Sequence, residues 1–154
     1  MAGGPFPPFS AIPITGGRVW PGPYDGADAM MVEASVGADS TWRLAFDAPT
    51  VLPSGTAKLR LTARANVATG VAKVNPKWVS VAVGEAFGAA TVNAEGTQTV
   101  TWGTDDEEDI KEVKVTLDAD TVVAGERIKM DLVFETTDWT LAVKSAWDAA
   151  IIWE

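Results

Sequence analysis

The sequence of 154 residues contains no histidine and no cysteine, and these two absences exclude more chemistry than anything else in it. Without cysteine there is no disulfide, no thiolate nucleophile and no sulfur-ligated zinc, and the redox compartment is left open. Without histidine the commonest general base and the commonest metal ligand are missing, and with them every Ser-His-Asp or Cys-His arrangement. The expectation is a protein that is not an enzyme and carries neither cofactor nor resident metal. Asn and Gln are scarce too, at three and one. That scarcity of thermolabile residues hints at a hot environment, although a charged fraction of 21% does not reinforce it. No apolar run approaches the roughly 20 residues that cross a bilayer, so no membrane partner is expected. The opening Met1-Ala-Gly-Gly-Pro5 has neither a basic nor an apolar signal region, so no secretory signal is expected.

Positive charge is also in short supply. Twelve Lys and Arg against 21 Asp and Glu give a net charge of −9, which repels phosphate backbones, and nucleic acid is not an expected partner. What is present is enough apolar material for a core: 47% of residues are hydrophobic, and a single domain of this length buries roughly two thirds of its unfolded surface.

The clearest pattern is Thr56-Ala-Lys-Leu-Arg-Leu-Thr-Ala-Arg-Ala65. Ala57, Leu59, Leu61, Ala63 and Ala65 alternate with Lys58, Arg60, Thr62 and Arg64, the period of a strand with one dry and one wet face. A helix would scatter the same apolar residues around its whole circumference. Similar strands are expected at 28–35, 40–46, 75–84, 97–102, 110–117, 127–134, 140–143 and 149–153, bounded by Gly, Pro, Asn or Asp. In the run at 75–84, Val79, Val81 and Val83 share one face and Trp78, Ser80 and Ala82 the other. Either both faces are covered there or Trp78 points outward. Eight or so strands with little helical pattern predict an all-β, antiparallel β-sandwich of the jelly-roll kind over residues 28–154.

Residues 1–27 differ in composition, holding six of the nine prolines and six of the fourteen glycines. They are expected to form an extended, partly polyproline-like N-terminal arm through which no regular ladder runs. The arm is too apolar for a solvated spacer. Phe6, Pro7, Pro8, Phe9, Ile12, Ile14, Val19, Trp20 and Tyr24 are its candidate partner-binding residues, lying either on the chain's own domain or on a neighbouring subunit.

Two further constellations stand out. The run Asp105-Asp-Glu-Glu-Asp109 supplies the oxygen donors that hold Ca²⁺, but its spacing departs from an EF-hand loop, and a solvated turn between strands is favoured. Seven tryptophans are many for this length. Trp42 and Trp102 share parity with apolar neighbours and read as core, whereas Trp78, Trp139 and Trp147 are less easily placed and are candidates for an interface or a ligand platform.

Trp42-Arg-Leu-Ala-Phe46, Leu52-Pro-Ser-Gly-Thr-Ala-Lys-Leu-Arg-Leu61, Asn66, Trp78, Gly84-Glu85 and Ala124-Gly-Glu-Arg-Ile128 together resemble the jelly-roll modules of structural proteins of tailed bacteriophages, over roughly residues 40–154. With its small size, missing histidine and apolar arm, the chain most resembles the auxiliary capsid, or decoration, proteins of phages that infect thermophilic bacteria. The resemblance implies a virion protein on the outer capsid surface, a homotrimer that clamps neighbouring subunits of the major capsid protein, its arm reaching a neighbour. An acidic body suits the outside of a shell whose inside faces packaged phosphates. Related modules also occur in phage head and tail fibres as attachment domains. The rival reading is a carbohydrate-binding jelly roll, whose exposed tryptophans would stack on sugar rings.

Overall fold

The computed structural model describes residues 10–15, 18–20, 31–34, 39–65, 69–86, 88, 90–103, 110–141 and 145–154. Two antiparallel sheets pack face to face. The first has the order β1 (Ser10–Thr15), β4 (Ser40–Asp47), β10 (Arg127–Phe134), β6 (Gly70–Val81), with β7 (Asn93–Ala94) and β8 (Gln98–Trp102) both on the far edge of β6. The second has the order β2 (Arg18–Trp20), β3 (Met31–Ala34), β11 (Ser145–Trp153), β5 (Ala57–Arg64), β9 (Ile110–Thr116). From β3 to β6 the chain changes sheet at every connection, and it does so again from β8 to β11. The late strand β10 inserts between β4 and β6, and β11 inserts between β3 and β5. Eight strands wound in this way make a jelly roll.

Alternation in the sequence becomes the two faces of each strand. Trp42, Leu44 and Phe46 of β4, Leu59, Leu61 and Ala63 of β5, and Ile128, Met130, Leu132 and Phe134 of β10 are all buried between the sheets. Register joins them across strands, with Met130 opposite Leu44 on one side and Trp78 on the other. Trp42, Trp78, Trp102 and Trp147 are the largest fully buried side chains. The small Ala57, Ala63, Ala65 and Ala149 of the same core leave volume for rings of that size. β11 is central in its sheet, and its Ala150 and Ile152 are buried on the outward parity as well, which is why its second half, Ala149-Ala-Ile-Ile-Trp153, reads as a continuous apolar run.

Three expectations are corrected. A ladder does run through the proline-rich N-terminal stretch: β1 pairs with β4 and β2 with β3. Both are edge strands, where a missing N–H such as that of Pro13 costs no ladder bond if it faces away from the partner, and the register of β1 shifts between Pro13 and Thr15. Second, β6 starts at Gly70 and passes through Pro76 rather than beginning beside it. The Pro76 carbonyl accepts the Glu95 N–H at 3.2 Å on the β7 side. N–H and C=O of a strand residue point the same way, so the missing donor of Pro76 faces the edge where the ladder passes from β8 to β7, and the bonding to β10 is untouched. Third, no strand forms at Thr140–Leu141. A 3₁₀ turn at Thr136–Asp138 precedes them, and both N–H groups converge on the Val71 carbonyl.

Candidate functional site

The outer face of the first sheet is assembled from strands far apart in sequence. Arg43 and Asp47 come from β4, Lys73, Lys77, Val79 and Val81 from β6, and Arg127, Lys129 and Asp131 from β10, all on the parity opposite to the core residues. Register aligns Asp131 with Arg43 on one side and with Lys77 on the other. Arg43 donates to both Asp131 oxygens at 2.8 Å. That pairing raises the guanidinium pKa above its ordinary value, against the opposing effect of partial burial. Arg127 grips Asp47 in the same two-pronged way, at 2.9 and 3.3 Å. Lys73 and Lys77 have no ion-pair partner among the described residues.

Val79 and Val81 lie on this outer parity yet are only 3% and 4% exposed; of the connection 82–92, Gly88, Ala90 and Val92 lie beside Val79, and Ala82, Val83 and Glu85 beside Val81. Gly84, at φ +94°, turns the chain, and Ala82 and Glu85 fasten that turn through mutual hydrogen bonds of 3.1 and 3.2 Å. Returning, the segment leaves a groove of about 440 Å³ against the sheet. Its floor is Lys77, Val79, Lys129 and Asp131, and its wall is the small apolar series Gly88, Ala90 and Val92. Of the two alternatives for β6, coverage of both faces holds as far as Val81, with Trp78 inward and Val79 covered outside, while Val83 lies past the strand end and is exposed.

The same end of the sandwich gathers the connections β4–β5 and β9–β10. The Ala48 N–H donates to Glu126 O and the Gly125 N–H to Pro49 O, while Ser80 Oγ reaches Glu126 Oε2 at 2.5 Å. The large exposed hydrophobic side chains of the described residues are Val51 (81%), Val83 (98%), Val92 (61%) and Val123 (46%). All four sit on these three connections.

The second sheet also carries cations outward, namely Lys58, Arg60 and Arg64 of β5 and Lys114 of β9, and one carboxylate reaches two of them. Glu154 joins Lys114 at 2.5 Å and Lys58 at 3.4 Å. The hydrogen bond from Lys114 lowers the Glu154 pKa and raises that of the lysine. Half-buried Asp148 has its pKa raised by desolvation, partly offset by the Ala149 N–H and by Arg60.

The tryptophan candidates are corrected by burial. Trp78 and Trp147 are fully buried and Trp139 nearly so. Their N–H groups are satisfied from inside, by Glu95 Oε1 at 2.8 Å, Ser145 Oγ at 2.7 Å and Lys73 O at 2.9 Å respectively. Trp139 and Trp147 pack with Phe134 at centroid separations of 5.1–6.4 Å, so they form a core cluster and not a surface platform. Of the arm candidates, Ile12 and Ile14 are in β1 and Val19 and Trp20 in β2, strands of the chain's own two sheets. Phe6, Pro7, Pro8, Phe9 and Tyr24 lie outside the described residues, as does the acidic run 105–109. Among the described residues no three His, Cys, Asp or Glu side chains gather as a metal site.

Neither a protein-family model nor a curated protein matches the sequence. Solved structures of similar architecture include the K3 cleaved adhesin domain of Lys-gingipain from Porphyromonas gingivalis w83, at 15% identity over 82% of this chain and 75% of that one, with a TM-score of 0.48. A family 11 carbohydrate-binding module from Clostridium thermocellum, in complex with a β-1,3-1,4-mixed-linked tetrasaccharide, is 10% identical over 97% of this chain and 86% of that one, at 0.47. A carbohydrate-binding module of the β-sandwich superfamily is 14% identical over 94% of this chain and 54% of that one, at 0.46. The jelly roll of the present chain rests on its own strand pairings.

Proposed function

We propose that this chain is a non-catalytic recognition module that holds a saccharide against the outer face of its first sheet. The observation that carries the reading is the groove between that face and the 88–92 wall. A sugar offers hydroxyls and apolar C–H faces together. The groove matches both, setting the amines of Lys77 and Lys129 beside Val79, Ala90 and Val92. Affinity electrophoresis against a panel of soluble neutral and acidic polysaccharides tests it. Retardation by at least one, abolished in Ala90→Trp without loss of thermal stability, is the expected result. Unretarded migration in every gel overturns the reading.

A second reading is favoured by the four exposed valines gathered at one end: a structural protein of a virion, seated by that end on the outer surface of a capsid and self-associating as a trimer. Apolar side chains concentrated on one end suit a partner surface rather than solvent. Light scattering of the intact chain at micromolar concentration tests the trimer. A monomer that Val83→Asp leaves unchanged counts against this reading.

A further inference from the structure

We infer that the saccharide taken by the first-sheet groove is an acidic one, carrying carboxylates that Lys77 in the groove and Lys73 further along β6, beyond the groove lining, bind; this rests on the reading of the groove as a saccharide site. The argument is one of charge placement. On a chain of net charge −9, the outward positions of β4, β6 and β10 hold five cations, Arg43, Lys73, Lys77, Arg127 and Lys129, against two carboxylates, Asp47 and Asp131. Both carboxylates are consumed by two-pronged pairs with arginine. The next carboxylate beyond β10, Glu135, accepts from Thr97 Oγ1 at 3.1 and 3.3 Å and keeps its charge, and counting it the face still holds five cations against three carboxylates. Lys73 and Lys77 are left as surplus positive charge, with no ion pair among the described residues.

Two ordinary explanations of outward lysines do not cover this. Lysine protects exposed sheet edges from pairing with other chains, but β10 is central, and β6 is covered by β7 and β8 at the positions in question: Lys77 pairs with Ala94 and Lys73 with Thr99. Solvation of a sheet face by mixed charge is what the second sheet shows, where Glu154 clamps Lys58 and Lys114. On the first sheet Asp47 and Asp131 pair with arginine, and Lys73 and Lys77 lack that neutralisation. Each lysine offers three donors and no acceptor, so its complement is an anionic oxygen. The apolar wall and the valine floor beside it favour a carboxylate set on a sugar ring over a bare anion.

The test uses the intact chain and matched polymers that differ in charge alone: polygalacturonate and alginate, each beside its methyl-esterified form, with a neutral glucan and a DNA duplex as comparators. The expected result is binding of at least one uronate polymer that weakens at least tenfold on esterification. Lys77→Ala is expected to cost roughly tenfold or more, the worth of one charge-assisted hydrogen bond, and Lys73→Ala to weaken it further. Affinity should also fall as salt rises, since added ions screen a partly exposed site. Lys77 is exposed, so both proteins should unfold at the same temperature. Binding of the glucan or the esters as tightly as the uronates overturns the acidic inference and leaves the saccharide reading standing. Binding of the duplex as tightly as the uronates marks unselective polyanion adsorption and also overturns it. No binding to any polysaccharide overturns the saccharide reading itself.

Discussion

Replacing Trp147 by Phe, and its hydrogen-bond partner Ser145 by Ala, decides whether this tryptophan belongs to the core. The indole is fully buried, its N–H donates to Ser145 Oγ at 2.7 Å, and Ser145 is itself buried. Ser145→Ala strands an indole N–H away from water, which costs about 1–3 kcal/mol. Trp147→Phe strands the hydroxyl instead and opens a void against Phe134, whose ring centroid lies 5.1 Å away. Part of the roughly 3–5 kcal/mol of full truncation is lost along with the bond, so about 2–4 kcal/mol is expected. Making both changes removes donor and acceptor together. The double variant should therefore be more stable than the sum of the singles predicts, by about 1–2 kcal/mol. Urea unfolding followed by circular dichroism reads these differences: at a slope of about 2 kcal/mol/M, a 2 kcal/mol loss moves the midpoint by about 1 M. A Trp147→Phe variant within about 0.5 kcal/mol of the parent, with no coupling to Ser145, would refute the placement and return Trp147 to the surface as a ligand platform.

Three other changes separate causes that are otherwise confounded. Gly55 and Gly84 both have positive φ, but a Cβ at Gly55 would meet the Glu154 backbone at 2.9 Å whereas one at Gly84 meets nothing. Gly84→Ala should thus cost only the strained backbone, about 1–2 kcal/mol, and Gly55→Ala distinctly more, because it also pushes on the paired Thr56–Glu154 bonds; equal thermal shifts would count against this. Asp148 has a folded pKa raised above its ordinary 3.8 by burial, so the fold favours its protonated form. That preference stabilises fully below the unfolded value and is lost as pH rises through the folded one. Asp148→Asn should accordingly stabilise the protein at pH 7, with the gain shrinking as pH falls towards 3; a gain independent of pH would assign the effect elsewhere. Finally, Asp131→Asn breaks a partly exposed pair and should cost no more than about 1 kcal/mol, while adding positive charge to the groove floor and tightening uronate binding; weaker binding with the fold intact would mean that the carboxylate itself contacts the ligand.

Strands whose two faces differ were legible in the sequence. β4, β5 and β10 each alternate apolar and polar over most of their length, and only one register buries the apolar set. Proline hid the rest. β1 contains Pro13 and β6 contains Pro76, and whether the missing N–H faces a partner or a gap is set by neighbours that composition does not name. Parity likewise placed Trp42 and Trp102 in the core but left Trp139 open, since it follows a 3₁₀ turn and not a strand. The groove had no signal of its own. Arg43, Lys77 and Lys129 each look like the wet face of a separate strand, and only the pairing of β10 between β4 and β6 brings them into neighbouring rows.

The two sheets present similar cations, so charge count alone does not set the face proposed as a site apart from the other. What distinguishes them is the eleven-residue connection between β6 and β7, against the two to five residues that suffice for a hairpin. A short turn would have left Val79 and Val81 exposed on the outer face. The long one covers them and leaves a channel. Because its returning limb is built of small residues, Gly88, Ala90 and Val92, the wall approaches the sheet without filling the space above Lys77. On the second sheet, Glu154 is tied back by paired backbone bonds with Thr56, which holds its carboxylate over Lys58 and Lys114 and offsets part of their charge. On the proposed reading, recognition on one face and solvation on the other follow from where one connection lies and where one carboxylate is fixed.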